Sequence, residues 1–97
     1  MKTVAEIKKL LELNKSELRV RYGVKDIGIF GSYVREEQTE TSDIDVLVEF
    51  EKSFGLLEFV GLRYHLSDLL GVKVDLVMKK ALKPRIGDRI LSEVVYV

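Results

Sequence analysis

The run Asp43-Ile-Asp-Val-Leu-Val-Glu-Phe50 limits what this chain can fold into more than any other segment. Asp43, Asp45 and Leu47 alternate with Ile44, Val46 and Val48, and the alternation passes into a nearly continuous apolar stretch. Period-two alternation is the mark of a strand, and apolar residues on both faces belong to a strand covered on both sides. The run is therefore expected as a central strand. The rest of the chain must supply its neighbours and its cover.

Those neighbours are legible. "DIGIF", Asp26 to Phe30, is short and β-branched and stops at Gly31, which predicts a strand followed by a turn. "VKVDLVM", Val72 to Met78, predicts a third strand. From Thr3 to about Arg21, the apolar residues Val4, Ile7, Leu11 and Leu18, with Leu10 beside them, predict an amphipathic helix ending near Gly23. Thr3 with Glu6 resembles a capping box at its start. A brief helical stretch is expected from Ser32 to about Glu37.

"FGLLEFVGLRYHLSDLLG", which begins at Phe54, carries Leu56, Val60, Tyr64 and either Ser67 or Asp68 on one line. Leu57, Leu66, Leu69 and Leu70 widen that stripe, so a second main helix ending at Gly71 is expected. After the only proline, Pro84, the spacing of Ile86, Ile90, Val94 and Val97 predicts a final helix, its end blurred by the β propensity of Val94-Val-Tyr-Val97. The order helix, strand, short helix, strand, helix, strand, helix predicts an α/β or α+β layer with helices packed on a small sheet.

With 97 residues, the chain is expected to form a single domain, 1–97, with one core and little material for a second lobe. Hydrophobic residues make up 46%, charged ones 33%, and 16 basic side chains balance 16 acidic ones, which describes a soluble globular protein. That balance selects no particular partner, and direct nucleic-acid binding is not expected. The absence of cysteine rules out disulfides, zinc ribbons and thiol catalysis and suits a reducing cytoplasm. The N-terminal stretch is broken by charges throughout, so neither a signal peptide nor a membrane span is expected, and the localisation expected is cytoplasmic. Abundant Lys, Glu and Arg would also suit a thermophile.

Residues two apart on a strand share a face, so Asp43 and Asp45 are expected to point together, with Cα atoms about 6.5–7 Å apart. Two carboxylates at that spacing repel by about 1–3 kcal/mol between the dielectric of water and that of a protein surface. A divalent cation would turn that cost into attraction. Carboxylates completed by water and phosphate oxygens are what Mg²⁺ prefers, and two such ions can orient an attacking oxygen and stabilise a leaving one. A third carboxylate, Asp75, interrupts "KVDLV", and all three acids can converge if their strands are neighbours. Gly31 lets backbone approach an anion closely, and Ser32 would stand at the start of a helix, where hydroxyl and free N–H groups attract phosphate.

The stretch "GSYVREEQTETSDID" resembles the signature of the polymerase-β-like nucleotidyltransferase superfamily, a Gly-Ser pair followed after ten residues, here Tyr33 to Ser42, by Asp-x-Asp. The chain is most similar to the minimal nucleotidyltransferases, and the resemblance covers nearly all of it. Arg35 and Ser42 match the usual pattern. Glu36 departs from it, because a small residue, often glycine, commonly follows the arginine. The resemblance implies that Asp43 and Asp45 bind Mg²⁺, with Asp75 completing the metal site and helping to activate an acceptor hydroxyl. It also implies that Gly31 and Ser32 hold the phosphates of a nucleoside triphosphate, ATP above all. Minimal members resemble antitoxins that pair with a HEPN-domain ribonuclease toxin, some by adding AMP to a tyrosine hydroxyl. A binding antitoxin without catalysis is the alternative reading. Transfer to a small molecule is a third, for which such enzymes carry an added acceptor-binding domain.

Other residues have plainer readings. Arg35 either reaches the nucleotide phosphates or pairs with a nearby glutamate. Tyr33 is expected to pack, His65 to be a surface or packing histidine rather than a base or ligand, and the cations Lys8, Lys79, Arg85 and Arg89 to mark solvated faces. Val94 to Val97 are more apolar than a lone helix edge needs, which raises burial against a partner chain or a second copy in a homo-oligomer.

Overall fold

The acidic and apolar run becomes strand β2 (Ile44–Phe50), flanked on both sides as its pattern demands. A computed structural model describes residues 2–51 and 55–97. Strand β1 (Val24–Phe30) pairs antiparallel with β2 on one side, and β3 (Val74–Met78) pairs parallel with it on the other. A two-residue strand, β4 (Val95–Tyr96), runs antiparallel along β1, so the order among the described residues is β3-β2-β1-β4. This is a mixed sheet with helices packed on it, the α/β layer that the order of elements predicts.

One face of the sheet is closed by helices α1 (Val4–Tyr22) and α2 (Leu56–Leu70). Thr3 and Glu6 form the expected capping box: the Thr3 hydroxyl accepts from the Glu6 N–H at 3.2 Å and the Glu6 carboxylate accepts from the Thr3 N–H at 3.3 Å. Such a cap is worth about 1 kcal/mol. Ile7, Leu11 and Leu18 from α1 and Leu62, Leu66 and Leu70 from α2 pack on Ile27, Ile29, Ile44, Val46, Val48, Val74 and Leu76. Each fully buried side chain of this size contributes about 1.5–3 kcal/mol, so this layer supplies most of the hydrophobic stabilisation. His65 meets Tyr22 edge-on at 5.4 Å in the helix layer, the packing role its sequence context suggests.

On the other face, the register aligns Gly28 with Leu47 and Leu47 with Val77, one step along from Phe30, Asp45 and Asp75. Helix α3 (Pro84–Glu93) and the chain after it cover part of this face, with Val94 packed onto Gly28. Leu47 and Phe30 are buried although they lie outside the main cluster.

Three expectations are corrected. The final helix ends at Glu93, and Val95-Tyr96 turns back as an edge strand, because β1 offers an open edge that satisfies the backbone groups of a β-prone tail. The stripe of α2 is rotated: Leu62, Leu66 and Leu70 are buried while Leu56, Leu57 and Tyr64 are exposed. Apolar residues nearly surround this helix, so periodicity alone could not choose the face that meets the sheet. The short helix after β1 is a single 3-10 turn, Gly31–Tyr33. The expected first residue of α2, Phe54, lies outside the described residues. Among the described residues no helix is long and apolar enough to cross a membrane.

Candidate active site

Strand register builds the acidic cluster. Asp45 and Asp75 are direct partners across the parallel β2–β3 pair, and Phe30, at the end of β1, is the partner of Asp45 on its other side. Partners across a sheet present their side chains on the same face. The sheet thus joins two acids 30 positions apart in sequence, on the face away from α1 and α2. Asp43 stands just before β2 and is exposed. Asp45 is half-buried and Asp75 exposed, so Asp45 is the most enclosed of the three carboxylates.

The Asp45 carboxyl is raised from its usual 3.8 to about 6, first by burial and then by the carboxylates of Asp75 and Asp43. Arg35 pulls it back, and Glu93 adds a smaller upward push. The site therefore carries more negative charge than its own residues neutralise. Among the described residues no three carboxylate, imidazole or thiolate side chains converge closely enough to make a ready-made metal cage. The donors present still fit Mg²⁺, which binds through one or two carboxylates and takes its remaining ligands from water and phosphate rather than from an all-protein cage.

Gly31 lies against this cluster. Its φ is +80°, in the left-handed region, and a Cβ placed there would overlap the Asp45 carboxylate, so both the turn and the acid beside it require glycine. Ser32 follows, half-buried, and its hydroxyl makes no hydrogen bond among the described residues. The turn is closed by Val34 and Arg35 N–H groups donating to the Gly31 carbonyl at 3.1 and 3.2 Å. Glu36, the departure from the family pattern, has a φ of +58°. Glycine is common there for a backbone reason: left-handed geometry costs a residue with a Cβ about 1–2 kcal/mol.

Arg35 pairs with glutamates. Its Nη1 donates to both carboxylate oxygens of Glu93 at 3.0 Å, and its Nε donates to Glu37 at 3.4 Å. The bond to Glu93 is the main cause holding the guanidinium pKa above its ordinary value. Glu93 also accepts the Gly31 N–H at 3.0 Å. Sequence reasoning missed Glu93: it lies 62 residues beyond Gly31 in an ordinary helical segment, and no local motif marks it.

A cavity of about 280 Å³, lined by Val48, Glu49, Phe50, Glu51, Met78, Lys79 and Lys80, sits at the opposite ends of β2 and β3 from the aspartates. The register and the left-handed glycine define the chemistry, and that cavity does not belong to it.

The parallel β2–β3 pair thus brings Asp45 and Asp75 together beside the Gly-Ser turn, as the sequence signature predicts. Residues 7–97 match the nucleotidyltransferase domain, and the chain belongs to that family, as a minimal member of the polymerase-β-like superfamily. It is 54% identical over 97 residues to the protein adenylyltransferase MntA of Thermococcus cleftensis, covering 100% of this chain and 98% of the relative. A solved structure described provisionally as a minimal nucleotidyltransferase superposes with a TM-score of 0.81 at 36% identity, over 97% of this chain and 95% of that one. A further likeness, in fold alone, is to a complex of a tri-AMPylated HEPN toxin with an MNT antitoxin from Shewanella oneidensis. Its TM-score is 0.65 at 21% identity, over 92% of this chain and 70% of that one.

Proposed function

We propose that this nucleotidyltransferase transfers AMP from ATP to a tyrosine hydroxyl of a HEPN-domain partner toxin and so acts as its antitoxin. The observation that carries the reading is the pairing of Asp45 with Asp75 directly beside the Gly31-Ser32 turn. The name of the Thermococcus cleftensis relative, a protein adenylyltransferase, supports protein as the acceptor. The AMPylated toxin in the Shewanella oneidensis complex supports the kind of partner.

Each residue has a part in the chemistry. The acceptor oxygen attacks the α-phosphorus, the bond to the β-phosphate oxygen breaks, and pyrophosphate leaves. Asp75, which is exposed, would take the hydroxyl proton, while Asp43 and Asp45 would hold Mg²⁺. The metal, when bound, neutralises charge on the phosphates and on the leaving oxygen. Ser32 supplies a free hydroxyl, and the Gly31 turn lets backbone approach the phosphates. A cytoplasmic setting, with ATP and Mg²⁺ at hand, fits this chemistry. The exposed apolar side chains Leu56, Leu57 and Tyr64 of α2 offer a surface for a protein partner.

The test is the intact mass of the neighbouring gene's product after incubation with the protein, ATP and Mg²⁺, beside an Asp43→Asn/Asp45→Asn control. The expected outcome is a gain of one or more AMP units that the control does not give. No gain, together with a stable complex formed equally well by the control, would replace this reading with neutralisation by binding.

A further inference from the structure

Glu93 is the last residue of α3, and its carboxylate joins two groups that lie on either side of the Gly-Ser turn. It accepts the Gly31 N–H at 3.0 Å and receives Arg35 Nη1 at 3.0 Å on each oxygen. The side chain is only 21% exposed, so these charge-assisted bonds are partly shielded from water. Its backbone is anchored on both sides. The Val94 N–H bonds to the Ile90 carbonyl at 2.9 Å, and β4, which follows at once, pairs with Gly28 and Ile29 of β1. The strand that leads into Gly31 therefore also fixes the residue that grips Gly31.

The grip leaves part of Arg35 available. Glu93 and Glu37 engage the guanidinium through Nη1 and Nε, and Nη2 makes no hydrogen bond among the described residues. A long, otherwise exposed arginine loses rotamer freedom when it is fixed, and here the ion pair to Glu93 restrains it before any ligand arrives.

We infer that Glu93 is a positioning residue for the nucleotide phosphates: it fixes the Gly31 turn and holds Arg35 with the Nη2 edge of its guanidinium free. This rests on the nucleotidyl-transfer reading and extends it to a residue of the C-terminal helix. The rival arrangement has the opposite sign. If the carboxylate instead occupied the place of a phosphate, its removal would strengthen nucleotide binding.

The experiment uses the full chain with Mg²⁺ and a non-hydrolysable ATP analogue, comparing wild type with Glu93→Ala and Glu93→Gln. Binding is measured by calorimetry, and exchange of the Gly31 amide hydrogen is followed without nucleotide. Glu93→Ala is expected to weaken analogue binding about tenfold and raise KM for ATP by a similar factor, with kcat within about threefold of wild type. Gly31 amide exchange should accelerate about tenfold or more in the same variant. Glu93→Gln keeps an acceptor for Gly31 but loses the ion pair, so it should fall between the two, and it decides the matter if the alanine variant does not fold.

Unchanged binding and unchanged exchange in a folded variant would overturn the inference. So would tighter binding, which would identify Glu93 as a competitor of phosphate. If wild type itself fails to bind the analogue, the nucleotidyl-transfer reading falls with the inference, whereas binding by wild type that Glu93→Ala leaves unaltered removes the inference alone.

Discussion

Asp45 carries opposed demands within one side chain. Its carboxyl is pushed up to about 6 by burial and by the neighbouring acids, so between about pH 3.8 and 6 the folded chain holds a proton there that the unfolded chain releases. A native state that binds more protons loses stability as pH rises, so this contribution is fully favourable below pH 3.8 and gone above about 6. The half-exposed setting screens the effect to about 1 kcal/mol. Asp45→Asn is therefore expected to melt about 4–8 °C above wild type at pH 7.5 without metal, with the difference vanishing near pH 4, and to be catalytically inactive. Thermal melts at the two pH values check this. Adding Mg²⁺ at pH 7.5 should raise the wild-type melting temperature and leave the asparagine variant nearly unmoved. This residue was legible in the sequence because period-two spacing and the Gly-Ser spacer name it. Its protonation was not, since that depends first on burial and then on Asp75, which only the folded sheet supplies.

Helix and strand ends separate stability from chemistry. Gly71 closes α2 with a φ of +68°, and a Cβ there would meet nothing nearer than Lys2 Nζ at 3.8 Å. Gly71→Ala should cost about 1 kcal/mol, lower the melting temperature by about 4–8 °C and leave kcat/KM unchanged below the transition. Gly31→Ala combines the same backbone strain with a collision against the Asp45 carboxylate, so activity should fall at least about a hundredfold in chain that is still folded. Melts and kcat/KM measured on both variants distinguish the two kinds of glycine. The sequence marked both as breaks after periodic segments. It could not show that one of them lies against the Asp45 carboxylate. For α2 the limit was different: Leu56, Leu57 and Tyr64 are as apolar as the residues that end up buried, and only the position of the sheet decides between them.

At the scale of the whole chain, the apolar tail belongs to the domain itself. Val97 donates its N–H to the Ile27 carbonyl at 3.0 Å, Val94 packs on Gly28, and Val97 lies against the main core. Deleting Val94 to Val97 should therefore cost about 2–3 kcal/mol of folding stability and lower the melting temperature by about 10 °C or more. Melting together with size-exclusion chromatography tests this: an undisturbed melt with loss of assembly would mean that the tail serves another chain instead. The central strand, its neighbours and both main helices could be read from periodicity. The two-residue β4 is too short to leave a pattern and forms because an edge of β1 is open to it. The row Phe30, Asp45, Asp75 bears on how this protein matures. Its members come from three strands, and a slip of one residue in the β2–β3 pairing would turn one of the two acids to the opposite face. The pairing of Asp45 with Asp75 therefore exists only once β3, near the C-terminal end of the sequence, has joined β2 in this register.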